Sequence, residues 1–362
     1  IVMLGEQDHG DAPTFAAKIR LVNYLHNGKG FDVLAFESDL FSATYGFEQL
    51  PDPGKSFAGY YKANIFPYWT ICDASTSLFT KYLPESFATS NPLILAGFDN
   101  QMYLRYSYQH LSKSIDSIAR SLDLDLVHQE AQFKEQLATI ELLSNQMLVL
   151  SKNKKYYEQA AESFQVLKAQ LLKKLEPQSF WLLVADNLIA TCNQIAYKDA
   201  DFTKSCNFRD AQMAANLKWL CEVKYPGKKI IVWAANYHIS KYTGHFKKKS
   251  LNECLAMASI FVNDPQLLAQ TYSMGFSSYD GDAGRIGTNT FRVDQPDKNG
   301  FENWIDKSVN YAFVDFKAFN LVNPGFNTEF PLKSSVSAQG VHKSHDAQWN
   351  KMFDGIFFIR HM

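Results

Sequence analysis

Four short apolar runs in this chain each end in a cluster of acidic, amide or imidazole residues. The runs and the polar segments after them are Ile1–Leu4 with Gly5–Gly10, Val33–Phe36 with Glu37–Asp39, Leu93–Ala96 with Gly97–Asn100, and Ile230–Trp233 with Ala234–His238. Apolar runs of this length, followed by turn residues, predict strands buried on both faces. Ligands of an open parallel sheet bind outside the carboxyl ends of its strands. The pattern therefore predicts one shared site built from distant parts of the chain.

The order of elements along the chain indicates the fold class. Apolar residues at helical spacing predict a helix from Pro13 to His26, which Asn27–Gly30 interrupts before the second strand. Further helices are predicted over Cys72–Leu83 and Phe208–Val223, and further strands over Thr271–Phe276, Tyr311–Phe316 and Ile356–Arg360. Strands separated by helices predict an α/β fold of three α/β/α layers with a mostly parallel central sheet.

Between the third and fourth strands the composition changes to Leu, Gln, Lys, Glu and Ala, with few Gly or Pro. Helical spacing recurs here, in Leu137, Ile140, Leu143 and Met147 and again in Phe164, Leu167 and Leu171. We therefore predict an α/β catalytic core of residues 1–103 and 201–362 and a helical insertion of residues 104–200. The insertion could serve as a lid, a cleft wall, a dimer surface or simple packing on the core.

Charge and hydropathy exclude several classes of partner. The 362 residues include 36 basic and 37 acidic side chains, a net charge of −1, so no basic excess exists to neutralise nucleic acid. No apolar run approaches the roughly 20 residues of a membrane span. The five cysteines are odd in number and form no CxxC pair, which argues against a disulfide framework or thiolate metal cluster. Because Ile1 already lies in an expected core strand, we expect residues before it, and a removed signal peptide leaves the compartment open.

Glu6 and His9 are the first candidates for chemistry, three residues apart after the first strand. A carboxylate can hold an imidazole in one tautomer and raise its basicity, which suits a general base that activates water. Glu37 and His238 end two other predicted strands and could orient His9, bind water or bind a metal. The alternatives are a helix-capping histidine at His9 and salt bridges elsewhere.

Weaker candidates lie elsewhere in the chain. Asp99 follows the third strand and could simply cap a helix. Arg209 and Asp210 open a predicted helix, and Arg209 could clamp a carboxylate of the substrate, of Glu6 or of Glu37. His342 and His345 have metal-ligand spacing but lie in a Ser- and Lys-rich segment, where we expect no metal. No GxSxG serine elbow and no glycine-rich phosphate loop is found.

Taken together, the polar segments resemble those of the erythromycin esterase family. Its GE-x-x-HG segment corresponds to Gly5–Gly10, and its glutamate 28 residues after that histidine corresponds to Glu37. Its RD-x-x-M-x-x-N helix resembles Arg209–Asn216, and its WAHN-x-H strand end resembles Trp233–His238. These four segments occur in the family's order. The resemblance covers nearly the whole chain, least strongly over the helical insertion.

The resemblance implies an erythromycin esterase-like fold and hydrolysis of an ester, a macrolide lactone in the known cases, without a serine nucleophile. His9 would deprotonate water, Glu6 and Glu37 would orient it and hold the water, and His238 would position the water or stabilise the oxyanion. The supporting positions are Asp8, Lys18, Asp99, Arg209, Asp210 and Asn236.

Three positions depart from the family pattern. Asp8 replaces the family's usual threonine, Lys18 replaces a frequent arginine, and Ala235 replaces the first histidine of WAHN-x-H. Loss of that imidazole predicts a substrate other than a macrolide.

Our leading hypothesis is a hydrolase of a small-molecule organic ester or lactone that needs no cofactor and no metal. The alternative is a non-catalytic protein that binds haem or another organic ligand in the same cleft. A third possibility is a metal-dependent hydrolase using Glu6, His9, Glu37 and His238 as ligands. The oligomeric state stays open.

Overall fold

The computed structural model describes residues 1–247, 252–285, 289–333 and 342–362. In chain order its strands are β1 Val2–Leu4, β2 Val33–Asp39, β3 Ile94–Asp99, β4 Ile230–Trp233, β5 Tyr272–Asp280, β6 Asp282–Ala283, β7 Phe291–Arg292, β8 Tyr311–Asp315, β9 Phe330–Lys333, β10 Ser344–Ala347 and β11 Gly355–His361. Among the helices of this described part, none is long and apolar enough to cross a membrane.

The α-helices are α1 Ala12–Lys29, α2 Pro53–Asn64, α3 Pro67–Thr70, α4 Leu83–Phe87, α5 Arg105–Ser121, α6 Glu130–Leu143, α7 Lys154–Leu172, α8 Phe180–Tyr197, α9 Phe202–Trp219, α10 Asn236–Ile239, α11 Met257–Phe261, α12 Pro265–Gln270, α13 Phe316–Val322 and α14 Trp349–Met352. The helix α1 begins with a proline in its first turn and ends at Gly30, whose φ of 65° suits glycine. The predicted helix over Pro13–His26 is thus confirmed and is slightly longer at both ends.

Two compact units make up the chain. The first comprises Ile1–Glu37, Pro67–Ile94 and Lys228–Met362, and the second comprises Ser38–Phe66 and Leu95–Gly227. In the first unit the strands are ordered β2-β4-β1-β5-β11-β8, parallel throughout except for β8 against β11. The predicted α/β fold with a mostly parallel central sheet is confirmed. The predicted division at residues 104 and 200 remains a prediction.

Helices dominate the second unit. Its apolar core contains Phe164, Leu167 and Leu171 of α7, all fully buried, so the apolar face predicted for this helix is confirmed. Met147, in contrast, lies beyond the end of α6 and is 93% exposed, so its assignment to the same helical stripe is wrong. The helix ends at Leu143, and Ser144 and Asn145 begin a series of turns.

Two predicted boundaries differ from the structure. The strand β2 continues past Phe36 to Asp39, so Glu37 lies within the strand rather than after it. The helix predicted over Cys72–Leu83 is wrong in its first part, where the structure has a 3₁₀ turn at Asp73–Ser75 and then a π-helical turn. Ser75 Oγ donates to the Cys72 carbonyl, a local bond that competes with a regular helix. The short hairpins β6–β7 and β9–β10 were not predicted.

Asn236 joins three parts of the first unit. Its side-chain Nδ2 donates to the Phe276 carbonyl at 2.7 Å, and its Oδ1 accepts from the Phe276 N–H at 2.9 Å. Its backbone N–H donates to the Glu6 carbonyl at 2.8 Å. A Cβ on Gly5 would lie 2.0 Å from Asn236 Oδ1, so the approach of these segments requires glycine there. The amide therefore fixes the turn after β1 against β5.

We expect Asn236→Ala to lower the free energy of unfolding by about 2–4 kcal/mol, because it leaves the buried N–H and C=O of Phe276 without this partner. Urea unfolding followed by far-UV circular dichroism measures the change. The matched control is Asn310→Ala at an exposed position, expected within about 0.5 kcal/mol of wild type. Equal midpoints for the two variants would contradict this role of Asn236.

Candidate active site

The register of the sheet brings the predicted polar residues to one edge. Trp233 at the end of β4 is paired with Leu4 of β1 on one side and with Phe36 of β2 on the other. The residues that follow these three positions therefore lie next to one another at the carboxyl end of the sheet. They include Glu6, Glu37 and the segment from Ala234 to His238.

The Glu6 carboxylate is the centre of this cluster and is fully buried. Its Oε1 accepts hydrogen bonds from His9 Nδ1 at 2.7 Å and from Trp69 Nε1 at 2.8 Å. Its Oε2 accepts from Lys18 Nζ at 2.7 Å. The ammonium of Lys18 also lies 4.2 Å from the centre of the Trp233 ring, which adds a cation–π contact. Both carboxylate oxygens thus have charged or polar partners.

His9 presents one ring nitrogen to Glu6 and keeps part of its ring exposed. Because an ionised carboxylate only accepts, Nδ1 carries the proton in the neutral ring and Nε2 is the basic nitrogen. The ring stacks on Tyr68 with 5.1 Å between centroids and meets Trp69 edge-on at 5.6 Å. The side chain is 18% exposed, while Glu6 is inaccessible. The imidazole is therefore held in one orientation while its side chain stays partly exposed.

The Lys18–Glu6 pair sets the charge state of the cluster. Burial alone would raise the pKa of Glu6, but the charge of Lys18 and the bond from His9 outweigh it and hold this pKa below 4.5. Burial lowers the pKa of Lys18 to about 8, opposed by its attraction to Glu6. Near neutral pH the two groups therefore form an ion pair, and Glu6 is a carboxylate beside His9.

A second carboxylate–imidazole pair belongs to the same unit. Glu37 Oε1 lies 3.1 Å from His238 Nε2, and Glu37 Oε2 accepts from the backbone N–H of Ala235 at 3.0 Å. Glu37 is 2% exposed and His238 is 7% exposed. The donor of this hydrogen bond is the backbone N–H of Ala235, so the bond does not depend on the side chain at that position.

The turn that carries His9 is held by two further ionic contacts. Asp8 Oδ1 accepts from the backbone N–H of His9 at 2.8 Å and also from Arg285 Nε. Asp11 Oδ2 accepts from the backbone N–H of Asp8 at 2.9 Å, and Asp11 Oδ1 lies 3.0 Å from His342 Nε2. Burial raises the pKa of Asp11, and the neighbouring His342 partly opposes that shift.

Three predicted supporting residues lie in the second unit. Arg209 forms a two-point contact with Asp99, through Nε at 3.2 Å from Oδ1 and Nη2 at 2.5 Å from Oδ2. Asp99 is fully buried and Asp210 is 1% exposed. Arg209 thus clamps a carboxylate of its own unit, and its predicted role toward a substrate, Glu6 or Glu37 remains a prediction.

Sequence reasoning missed Trp69, Asp11, Arg285 and the pairing of His342. Trp69 lies in a stretch without clear periodicity, and the other contacts join residues hundreds of positions apart. The signal for Asp11 was its place directly before the α1 helix, although its carboxylate makes no capping bond to that helix. In the described ranges, no group of three or more His, Cys, Asp or Glu side chains is arranged to hold a metal.

We expect Lys18→Met to lower the free energy of unfolding by about 3–5 kcal/mol, because it leaves Glu6 as an unpaired buried charge. Urea unfolding at neutral pH measures this change. The double variant Lys18→Met/Glu6→Gln removes both charges and should recover part of the loss. A double variant whose loss equals the sum of the two single losses would show that the two side chains do not interact.

The same pair predicts a difference in pH dependence. In wild type the lowered pKa of Glu6 contributes stability that is fully present above pH 4.5. This stability is lost as the pH falls through the pKa of Glu6 in the folded state. In Lys18→Met the charge that opposes the effect of burial is missing, so the pKa of Glu6 rises. As the pH falls, protonation of Glu6 then removes the buried charge that destabilises this variant. We expect the stability gap between the two proteins to shrink between about pH 7 and pH 4. A constant gap across urea titrations in this range would refute the assignment.

Comparison with known proteins identifies the family. A family model described as "Erythromycin esterase" matches residues 26–362, beginning after the Glu6–His9 turn. The protein named "Putative hydrolase YbfO" of Bacillus subtilis (strain 168) is 27% identical over 305 residues. That match covers 78% of this chain and 65% of the relative, so the chain spans just under two thirds of the relative's length.

Solved structures share the fold. A succinoglycan biosynthesis protein superposes with a TM-score of 0.75 at 19% identity, covering 99% of this chain and 87% of that one. An erythromycin esterase, a variant of EreC in its open conformation, superposes with a TM-score of 0.74 at 14% identity, covering 99% and 90% of the two chains. By the match of the family model, this chain belongs to the erythromycin esterase family.

Proposed function

We propose that this chain is a hydrolase that cleaves an ester or lactone of a small organic molecule by attack of water activated by His9. The observation that carries the proposal is the Glu6–His9 pair. A buried, ionised carboxylate 2.7 Å from Nδ1 makes Nε2 the basic nitrogen, on a ring that is 18% exposed. Family membership and the hydrolase name of the relative support a hydrolytic reaction.

In the proposed step, Nε2 of His9 takes a proton from water while the water oxygen attacks the carbonyl carbon. The carbonyl π pair moves to the carbonyl oxygen and gives a tetrahedral oxyanion. On its collapse the carbon–alkoxy bond breaks, and the imidazolium returns the proton to the departing alkoxide. Glu6 stabilises the transient imidazolium, and Lys18 and Trp69 keep Glu6 ionised and in place.

The Glu37–His238 pair is proposed to assist the same reaction. With Glu37 accepting from Nε2 at 3.1 Å, the imidazole of His238 is also held in one orientation. It would position the attacking water or stabilise the oxyanion. Asp8 and Asn236 support the site through the backbone, whereas Lys18 supports it through charge.

The substrate is proposed to be an ester or lactone other than a macrolide. Where the family motif has its first WAHN-x-H histidine, this chain has Ala235, whose only bond to Glu37 comes from the backbone. The sequence has no serine elbow, which fits direct attack by water without an acyl-enzyme.

We expect His9→Gln to lower kcat by about 10²–10⁴-fold on any ester or lactone that wild type hydrolyses, because the general base is lost. A panel of small esters, lactones and macrolides, each assayed with and without a chelator, measures this. Glu6→Gln should also lower kcat, since the carboxylate no longer orients and stabilises the imidazolium. The control is His128→Gln, at a side chain 69% exposed, expected to match wild type.

Each pattern of results has a distinct meaning. Full turnover in His9→Gln would exclude the proposed base. Turnover lost in wild type with chelator would favour the metal-dependent alternative. Absence of turnover across the panel, together with saturable binding of haem or another organic ligand, would favour the non-catalytic binding protein.

A further inference from the structure

His342 carries features that the proposed reaction does not use. It is 1% exposed and has a φ of 59°, a left-handed conformation that non-glycine residues adopt rarely. Such backbone conformations persist only where the surrounding structure fixes them, and they cluster at functional sites. The spacing of His342 and His345 suits metal ligands, but in the structure His342 faces a carboxylate and a hydroxyl.

Both ring nitrogens of His342 have partners. Nε2 lies 3.0 Å from Asp11 Oδ1, and Nδ1 lies 3.3 Å from Ser278 Oγ. When Asp11 is ionised it can only accept, so the proton of the neutral ring then lies on Nε2 and Nδ1 accepts from the Ser278 hydroxyl. In that state the imidazole is a hydrogen-bond donor to Asp11.

Asp11 departs from the usual behaviour of an aspartate at its position. It precedes α1, where an Asp side chain commonly accepts from the first helical N–H groups, yet its carboxylate makes no such bond. Oδ1 instead faces His342, and Oδ2 accepts from the Asp8 N–H at 2.9 Å. The carboxylate is turned away from the helix and toward the turn that carries the proposed base.

Asp8 completes the connection to His9. Its Oδ1 accepts from the His9 N–H at 2.8 Å, and its carbonyl accepts from the N–H of Gly10 at 3.0 Å. A continuous series of bonds thus runs from His342 through Asp11 and Asp8 to the backbone of His9. Without His342, Asp11 would be a buried carboxylate that has lost its cationic or donor partner, and it could regain bonds by capping α1.

We propose that His342 is a positioning residue for His9: by holding Asp11 off the helix it fixes the turn that presents the base. The catalytic part of this inference rests on the proposed function of His9, whereas the structural part does not. Two substitutions separate the effects of the donor from those of volume. His342→Leu removes the donor, while in His342→Gln the side-chain amide retains an N–H that can bond to Asp11.

The first measurement is hydrogen exchange of the Asp8 and His9 amides in protein labelled with ¹⁵N-aspartate and ¹⁵N-histidine. His342→Leu should speed exchange of the Asp8 amide by about tenfold or more, as expected for loss of a bond to a charged acceptor. His342→Gln should restore most of the protection. The control is His361→Gln, at a side chain 67% exposed, which should leave both amides as in wild type.

The second measurement is kcat and KM on an ester that wild type hydrolyses. A misplaced base should lower kcat about tenfold in His342→Leu with little change in KM, and His342→Gln should recover it. Exchange of the Asp8 amide within twofold of wild type in His342→Leu would overturn the proposal, as would equal loosening by Gln and Leu. If wild type hydrolyses no ester, the proposed function fails while the exchange result still decides the role of His342.

A second variant covers the case in which His342→Leu does not fold. Asp11→Ser keeps a residue suited to precede α1 but is too short to reach His342 and the Asp8 N–H together. The same acceleration of Asp8 exchange is expected in Asp11→Ser. Unchanged exchange in this variant would overturn the proposal.

Discussion

A fully buried carboxylate at Glu6 is the constraint on which the candidate site depends. An ionised group removed from water is tolerated only where partners replace its hydration. The partners of Glu6 come from three places: Lys18 from α1, Trp69 from α3, and His9 from the turn itself. One anion therefore determines where a helix, an indole and an imidazole must lie. The orientation of the His9 ring is a consequence of the same arrangement that makes the carboxylate stable inside the protein.

Three of the carboxylate–imidazole pairs that the structure describes in the first unit are those of His9, His238 and His342, and they differ chiefly in exposure. The His9 side chain is 18% exposed, that of His238 is 9% exposed, and that of His342 is 1% exposed. An imidazole must reach a reactant to transfer a proton, whereas one that only holds a neighbour is best kept away from water. Exposure thus decreases from His9, the proposed general base, through His238 to His342, the proposed positioning residue.

The local part of this arrangement was predictable from the sequence, and the long-range part was not. Apolar runs that end in polar residues predicted the fold and the candidate residues Glu6, His9, Glu37 and His238. This was possible because periodicity and turn chemistry act over a few residues. The pairings of Asp11 with His342 and of Asp8 with Arg285 join residues 331 and 277 positions apart, and no local pattern encodes them. Short hairpins such as β9–β10 were not predicted, because four-residue strands contain too little alternation of apolar and polar residues to be recognised.

The strand β1 has a consequence for how the molecule assembles. It is only three residues long, and Val2 pairs with Ile231 of β4 and with Tyr272 of β5. A strand this short has too few local contacts to persist alone, and pairings across such sequence separations close slowly because loop entropy is lost first. During synthesis, the segment carrying Glu6 and His9 leaves the ribosome long before its two neighbouring strands exist. We therefore expect the turn that holds the proposed base to become ordered only after β4 and β5 have been made.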